Sequence, residues 1–137
     1  MKINAFDIDG VIHLGAGVCG IRPGPSDLII TGRSWEEEQE TLAFLRRNGI
    51  FNTVFFNPAR FDQKSRESSG FHKGKTIAGL DSLGIEIEYF FEDDAVQKEA
   101  IEHHLSRCFV PLNTKVILVD NPHVKKENVR HLEDLDG

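Results

Sequence analysis

Five short apolar runs, each separated from the next by a polar or amphipathic stretch, constrain the fold of this chain more than any other feature. They are residues 2–8 (Lys-Ile-Asn-Ala-Phe-Asp-Ile), 27–31, 50–56 (Ile-Phe-Asn-Thr-Val-Phe-Phe), 85–91 and 115–120 (Lys-Val-Ile-Leu-Val-Asp). All five have strand length, and most are rich in β-branched or aromatic residues. Helix signals fall between them. Ser34, followed three positions later by Glu37, is a capping box that opens a helix. Trp35, Leu42 and Leu45 supply its apolar face, Arg46 and Arg47 suit its carboxyl end, and Gly49 closes it. A second helix is expected over 73–83, with Ile77, Leu80 and Leu83 inward and Gly84 as its stop, and a third over 95–106. Strands alternating with helices predict a mostly parallel sheet with helices packed on it, an α/β fold.

The remaining stretches are connections. Residues 10–26 hold Gly15, Gly17, Gly20, Pro23, Gly24 and Pro25, and read as a loop or small flap. Residues 59–71 are polar and give no clear element. Residues 121–137 read as a short polar helix or a tail. A length of 137 residues suits one domain spanning 1–137.

Composition narrows the function classes. The net charge of −6 argues against a general nucleic-acid binder, whose footprint is a basic surface. No apolar run is long enough to cross a bilayer. Met1-Lys2-Ile3-Asn4 lacks a signal-peptide layout, so a cytoplasmic location is expected. Cys19 and Cys108 are read as plain thiols in that compartment.

Four stretches carry residues suited to chemistry, and in a parallel sheet all four fall at the carboxyl ends of strands, where ligands bind. Asp7-Ile8-Asp9-Gly10 ends the first run. Two nearby carboxylates can divide labour, one ionised and one able to hold a proton. Gly10 lets the chain turn between them. Thr31-Gly32 ends the second run and can offer a hydroxyl and a backbone N–H to a phosphate oxygen, with Arg33 as a further charge for substrate. Lys73 is placed at the start of the helix before the fourth strand, with Lys75 in reserve. An ammonium there offsets nearby carboxylates and stabilises a transferring phosphoryl group. Glu92-Asp93-Asp94 follows the fourth run. Clustered carboxylates repel unless a cation sits among them, and oxygen donors suit Mg²⁺. The string Gly70-Phe-His-Lys-Gly-Lys-Thr76 looks like a phosphate-cradling loop, but it is one residue short and far from the N-terminal strand that normally feeds one.

In this order the stretches resemble the motifs of the haloacid dehalogenase superfamily. Asp7-Ile8-Asp9-Gly10-Val11 is similar to its first motif, Leu28-Ile29-Ile30-Thr31-Gly32-Arg33 to its second, Lys73 to its third and Phe90-Phe91-Glu92-Asp93-Asp94 to its fourth. The resemblance runs from residue 2 to about 120. It implies a Rossmann-like three-layer α/β/α sandwich with strand order 3-2-1-4-5. The gaps at 11–26 and 49–71 are too short for a large cap domain. It also implies a Mg²⁺-dependent phosphatase. Asp7 is then the nucleophile that forms an aspartyl-phosphate, and Asp9 the acid and base. Thr31 and Lys73 hold the phosphoryl oxygens, and Gly32, Arg33 and Lys75 lie near the substrate. Mg²⁺ sits on Asp7, the backbone carbonyl of Asp9, and Asp93, with Asp94 acting through water or as an orienting group. The expected partner is a phosphorylated substrate, and an open, capless site suits bulky ones such as a nucleic-acid end, a nucleotide or a protein. Two other readings stand beside this one. One is a receiver-like signalling module, although Asn57 stands where its phospho-acceptor would be. The other is a non-catalytic binding protein of the same fold.

Overall fold

The computed structural model describes residues 2–16, 18–109 and 112–119. The strands are β1 (Lys2–Phe6), β2 (Leu28–Ser34), β3 (Val54–Asn57), β4 (Glu86–Glu92) and β5 (Lys115–Leu118). The helices are α1 (Glu38–Arg47), α2 (Arg66–Ser82) and α3 (Ala95–Ser106). The five strands form one sheet in the order β3-β2-β1-β4-β5, and each neighbouring pair is parallel. This is a Rossmann-like α/β fold, with β1 at the centre where the strand order reverses.

Strand periodicity divides the core into two layers. Ala5 and Ile30 point into one cluster with Ile77 and Leu80 of α2 and Ile101 and Leu105 of α3. Their chain neighbours Phe6 and Ile29 point the other way, into a cluster with Phe44 and Leu45 of α1 and with Ile8, Val11 and Ile12. Successive residues of a strand face opposite sides, so each central strand feeds both layers.

Several boundaries differ from the sequence expectation. Ser34 and Glu37 do form a reciprocal capping box, but it caps a 3-10 turn, Trp35–Glu37, that leads into α1. Trp35 is half exposed rather than part of the inward face, where Thr41, Phe44 and Leu45 are buried and Leu42 packs against them partly buried. β3 begins at Val54, not at 50. Ile50 is buried in the turn after α1, and Asn52 uses its amide to hold the carbonyls of Gly24 and Asp27 at 2.7 and 2.9 Å. The largest difference is α2, which starts at Arg66 and not at 73. Ser65 and Ser68 cap each other's backbone N–H groups there. Lys73 therefore lies inside a helix and does not open one.

The glycines of α2 have a packing reason. A Cβ on Gly70 would lie 2.7 Å from Cβ of Ala100, and one on Gly74 would lie 3.0 Å from Cβ of His104. Spaced four apart on one helix face, they let α2 and α3 come close. The loop-like string 70–76 is thus helix-packing sequence. The last residue of the expected fifth strand, Asp120, and the expected tail 121–137 lie outside the described residues.

Candidate active site

β1 ends at Phe6, but the N–H of Asp7 still donates to the carbonyl of Phe91 at 3.0 Å. That bond places Asp7 against the end of β4. Beyond Asp7 the chain turns at Gly10, whose φ is 84°. Glycine is required there twice over. A Cβ would have a strained backbone and would sit 1.9 Å from Oδ2 of Asp93. The residues between the two aspartates and the flap fold tightly, with the N–H groups of Ile12 and His13 both donating to the carbonyl of Ile8.

At the carboxyl edge of the sheet lies a small polar pocket of about 40 Å³. Of the expected residues, Asp7, Asp9, Gly32, Arg33, Lys73 and Asp93 line it. Four more that the sequence did not single out join them: Lys64, Arg66, Ser69 and Gln97. Lys64, Arg66 and Ser69 come from the turn and first helical turn over 59–71. The Ser65-x-x-Ser68 spacing is the one local signal that could have revealed them.

Lys73 is the hub of the charge network. Its side chain is 1 % exposed, and its Nζ lies 3.1 Å from Asp7 Oδ1, 2.6 Å from Glu92 Oε1 and 2.6 Å from Gln97 Oε1. Burial opposes its charge, but the carboxylates of Asp7 and Glu92 outweigh that cost and hold its pKa above the ordinary lysine value. Glu92 moves the other way from most carboxylates. Burial and the charge of Asp7 push its pKa well up, against the pull of Lys73. Its Oε2 accepts from the N–H groups of Asp93 and Asp94 at 3.1 and 3.2 Å, so both of its oxygens are engaged. The neighbouring His72 has its pKa lowered to about 4 by burial and by Lys73, and is neutral at pH 7.

Buried Arg33 and half-buried Asp9 form a second pair. Nε and Nη2 of Arg33 donate to the two oxygens of Asp9 at 2.9 and 2.6 Å, and Nη1 donates to Thr41 of α1 at 3.0 Å. The guanidinium expected to face substrate is thus committed mainly to Asp9. Burial works against its charge and Asp9 more than restores it. His13 is buried, with Nδ1 3.8 Å from Oδ1 of Asp9.

Thr31 is fully buried, and its Oγ1 accepts from the N–H of Arg33 at 3.0 Å; it is not among the pocket-lining residues. Lys75 is placed away from the pocket. It lies two residues along a helix from the inward Lys73, on the exposed face, and takes no part in the pocket. Asp94 is also placed differently. It caps α3 through the N–H of Val96 and binds Arg66 with both oxygens, at 2.6 and 2.8 Å. Burial is offset there by Arg66, and the net effect lowers its pKa.

The acids that gather are Asp7, Glu92 and Asp93, each with an oxygen within 4.8 Å of the others. Oxygen donors this close could together hold a metal ion. Among the described residues the nearby cations are already engaged: Lys73 with Asp7 and Glu92, Arg33 with Asp9, Arg66 with Asp94, and Lys64 with Glu37 at 3.0 Å. The donors of the acidic cluster are all hard oxygens. Among the described residues, no helix is long and apolar enough to cross a membrane. Neither a protein-family model nor a curated protein gives a significant match to this chain.

Proposed function

We propose that this chain is a Mg²⁺-dependent phosphatase of the haloacid dehalogenase type, acting on a phosphomonoester through an aspartyl-phosphate at Asp7. The observation that carries this reading is the convergence of Asp7, Asp9, Lys73 and Asp93 on one polar pocket at the carboxyl edge of the sheet. In the first half-reaction a carboxylate oxygen of Asp7 attacks phosphorus, the ester P–O bond breaks, and Asp9 gives a proton to the departing oxygen. In the second, water attacks the phosphoryl group, Asp9 accepts the water proton, and inorganic phosphate leaves Asp7 as a free carboxylate. Lys73 orients Asp7 and stabilises charge on the phosphoryl oxygens.

Asp7, Asp93 and the backbone carbonyl of Asp9 would hold Mg²⁺. When bound, the ion supplies charge neutralisation between the acids and the phosphoryl group. Glu92 serves Lys73 and the turn after β4, and Asp94 serves Arg66 and the start of α3.

A pocket of about 40 Å³ is far smaller than the roughly 300 Å³ or more of sites that engulf a small molecule. On this reading the pocket would take the phosphoryl group and leave the rest of the substrate outside, which supports a bulky leaving group. The receiver-like alternative loses support at Asn57, which is buried, donates to Gly32 and accepts from Ala59, outside the pocket.

Turnover of an aryl phosphate tests the proposal, since its leaving group asks little of an acid. Phosphate release is expected with Mg²⁺, with loss of activity in excess chelator and a drop of about a thousandfold or more in Asp7→Asn. Release that survives either treatment contradicts it.

A further inference from the structure

We infer that the outer groove between α2 and α3 is a self-association face, on which a second copy of this chain docks in the antiparallel sense. The groove has a volume of about 830 Å³, far larger than the acidic pocket, and its lining is mostly apolar. It exists because Gly70 lets α2 settle against Ala100, leaving a furrow walled by larger side chains. Phe71 stands 53 % exposed in its middle, with its ring edge-on to His104 at 4.9 Å. An exposed aromatic in an apolar furrow is the usual centre of an interface.

The charges along the groove say what fits it. α2 and α3 each link parallel strands, so both run in the same direction. Glu67 on the first turn of α2 and Glu99 on α3 lie toward the amino-terminal end. His103 and Arg107 lie toward the carboxyl-terminal end. One groove thus carries acid at one end, base at the other and an apolar centre. A two-fold axis across the helices sets Glu67 against the partner's Arg107 and Glu99 against the partner's His103, and repeats both contacts in reverse. Phe71 then meets the apolar centre of the other copy. An isologous dimer needs a patch complementary to itself, and this patch is. A stable contact buries about 800 Å² per partner, roughly a tenth of the 7550 Å² surface.

Self-association through this face is independent of the chemistry in the acidic pocket, and sedimentation velocity reads it without turnover. The wild-type chain is expected to form a concentration-dependent dimer. Glu67→Arg alone and Arg107→Glu alone each place like charges together twice, so each variant is expected to be monomeric. Mixing them pairs every reversed charge with its opposite, and the dimer is expected to return as a heterodimer. That return also shows that both variants are folded. A wild-type chain that stays monomeric at all concentrations overturns the inference, as does a dimer that survives both reversals or a mixture that fails to associate.

Discussion

Replacing Lys73 with Met is expected to lower stability by about 3–5 kcal/mol, as a fall in the urea midpoint at unchanged slope. The reason is what remains behind. Lys73, Glu92 and Asp7 are 1, 0 and 4 % exposed, so the two acids would face each other in a nearly dry site with no counter-charge. Removing one partner of a buried ion pair costs far more than removing both. The double variant Lys73→Met, Glu92→Gln is therefore expected to recover a large part of the loss. The single variant should also lose turnover, because the ammonium that orients Asp7 is gone. A Lys73→Met protein within about 1 kcal/mol of wild type would mean that the network contributes little.

Gly10→Ala has the second large expected effect, and its origin is steric. The added methyl must avoid Asp93, whose Oδ2, Cγ and Cβ would lie 1.9, 2.3 and 2.7 Å away, on a backbone at φ 84°. Either Asp93 leaves the acidic cluster or the turn after Asp9 opens. Strain of this kind costs about 1–3 kcal/mol. More telling is the expected loss of Mg²⁺ binding by calorimetry in a variant that keeps its far-ultraviolet circular dichroism. Retained Mg²⁺ affinity would show that Asp93 is not needed where it stands. From the sequence, Gly10 is read only as letting the chain turn. Here it also makes room for the acid from the neighbouring strand.

The sheet was legible because its signals are local. Each apolar run announces a strand, α3 over 95–106 matches its expected span, and Ser34 with Glu37 forms the capping box that its spacing implies. Where the reading failed, the cause was nonlocal or chemically weak. Arg66-Glu67-Ser68-Ser69-Gly70 has no apolar stripe and runs into weak helix formers at Ser68, Ser69 and Gly70, so the first turns of α2 are fixed by packing on α3 and by a Ser–Ser cap. That error hid Lys64, Arg66 and Ser69, and it misplaced Lys73 at a helix start.

The site shows the same division. Asp7, Asp9 and Asp93 are legible as acids at strand ends, and Lys73 as a cation on the helix before β4. Their partners are not, because pairing is set by the fold. Nothing local to Arg33 says that it will grip Asp9, 24 positions away. Nor does anything in Glu92-Asp93-Asp94 say that the three acids part company. Glu92 turns to Lys73, Asp93 to the pocket, and Asp94 to Arg66. Only the sheet order, which lays β4 beside β1, sorts them.

The central claim is that Asp7 carries the phosphoryl group during turnover. Intact-mass and peptide mapping of an Asp9→Asn protein mixed with an aryl phosphate and Mg²⁺ tests this most directly. Asparagine cannot accept the proton of the attacking water, so the first half-reaction should outrun the second. A phosphoryl adduct that maps to Asp7, and is absent from the Asp7→Asn, Asp9→Asn double variant, is the expected result. An adduct on another residue, or no adduct from a protein whose wild-type form turns over, would contradict it.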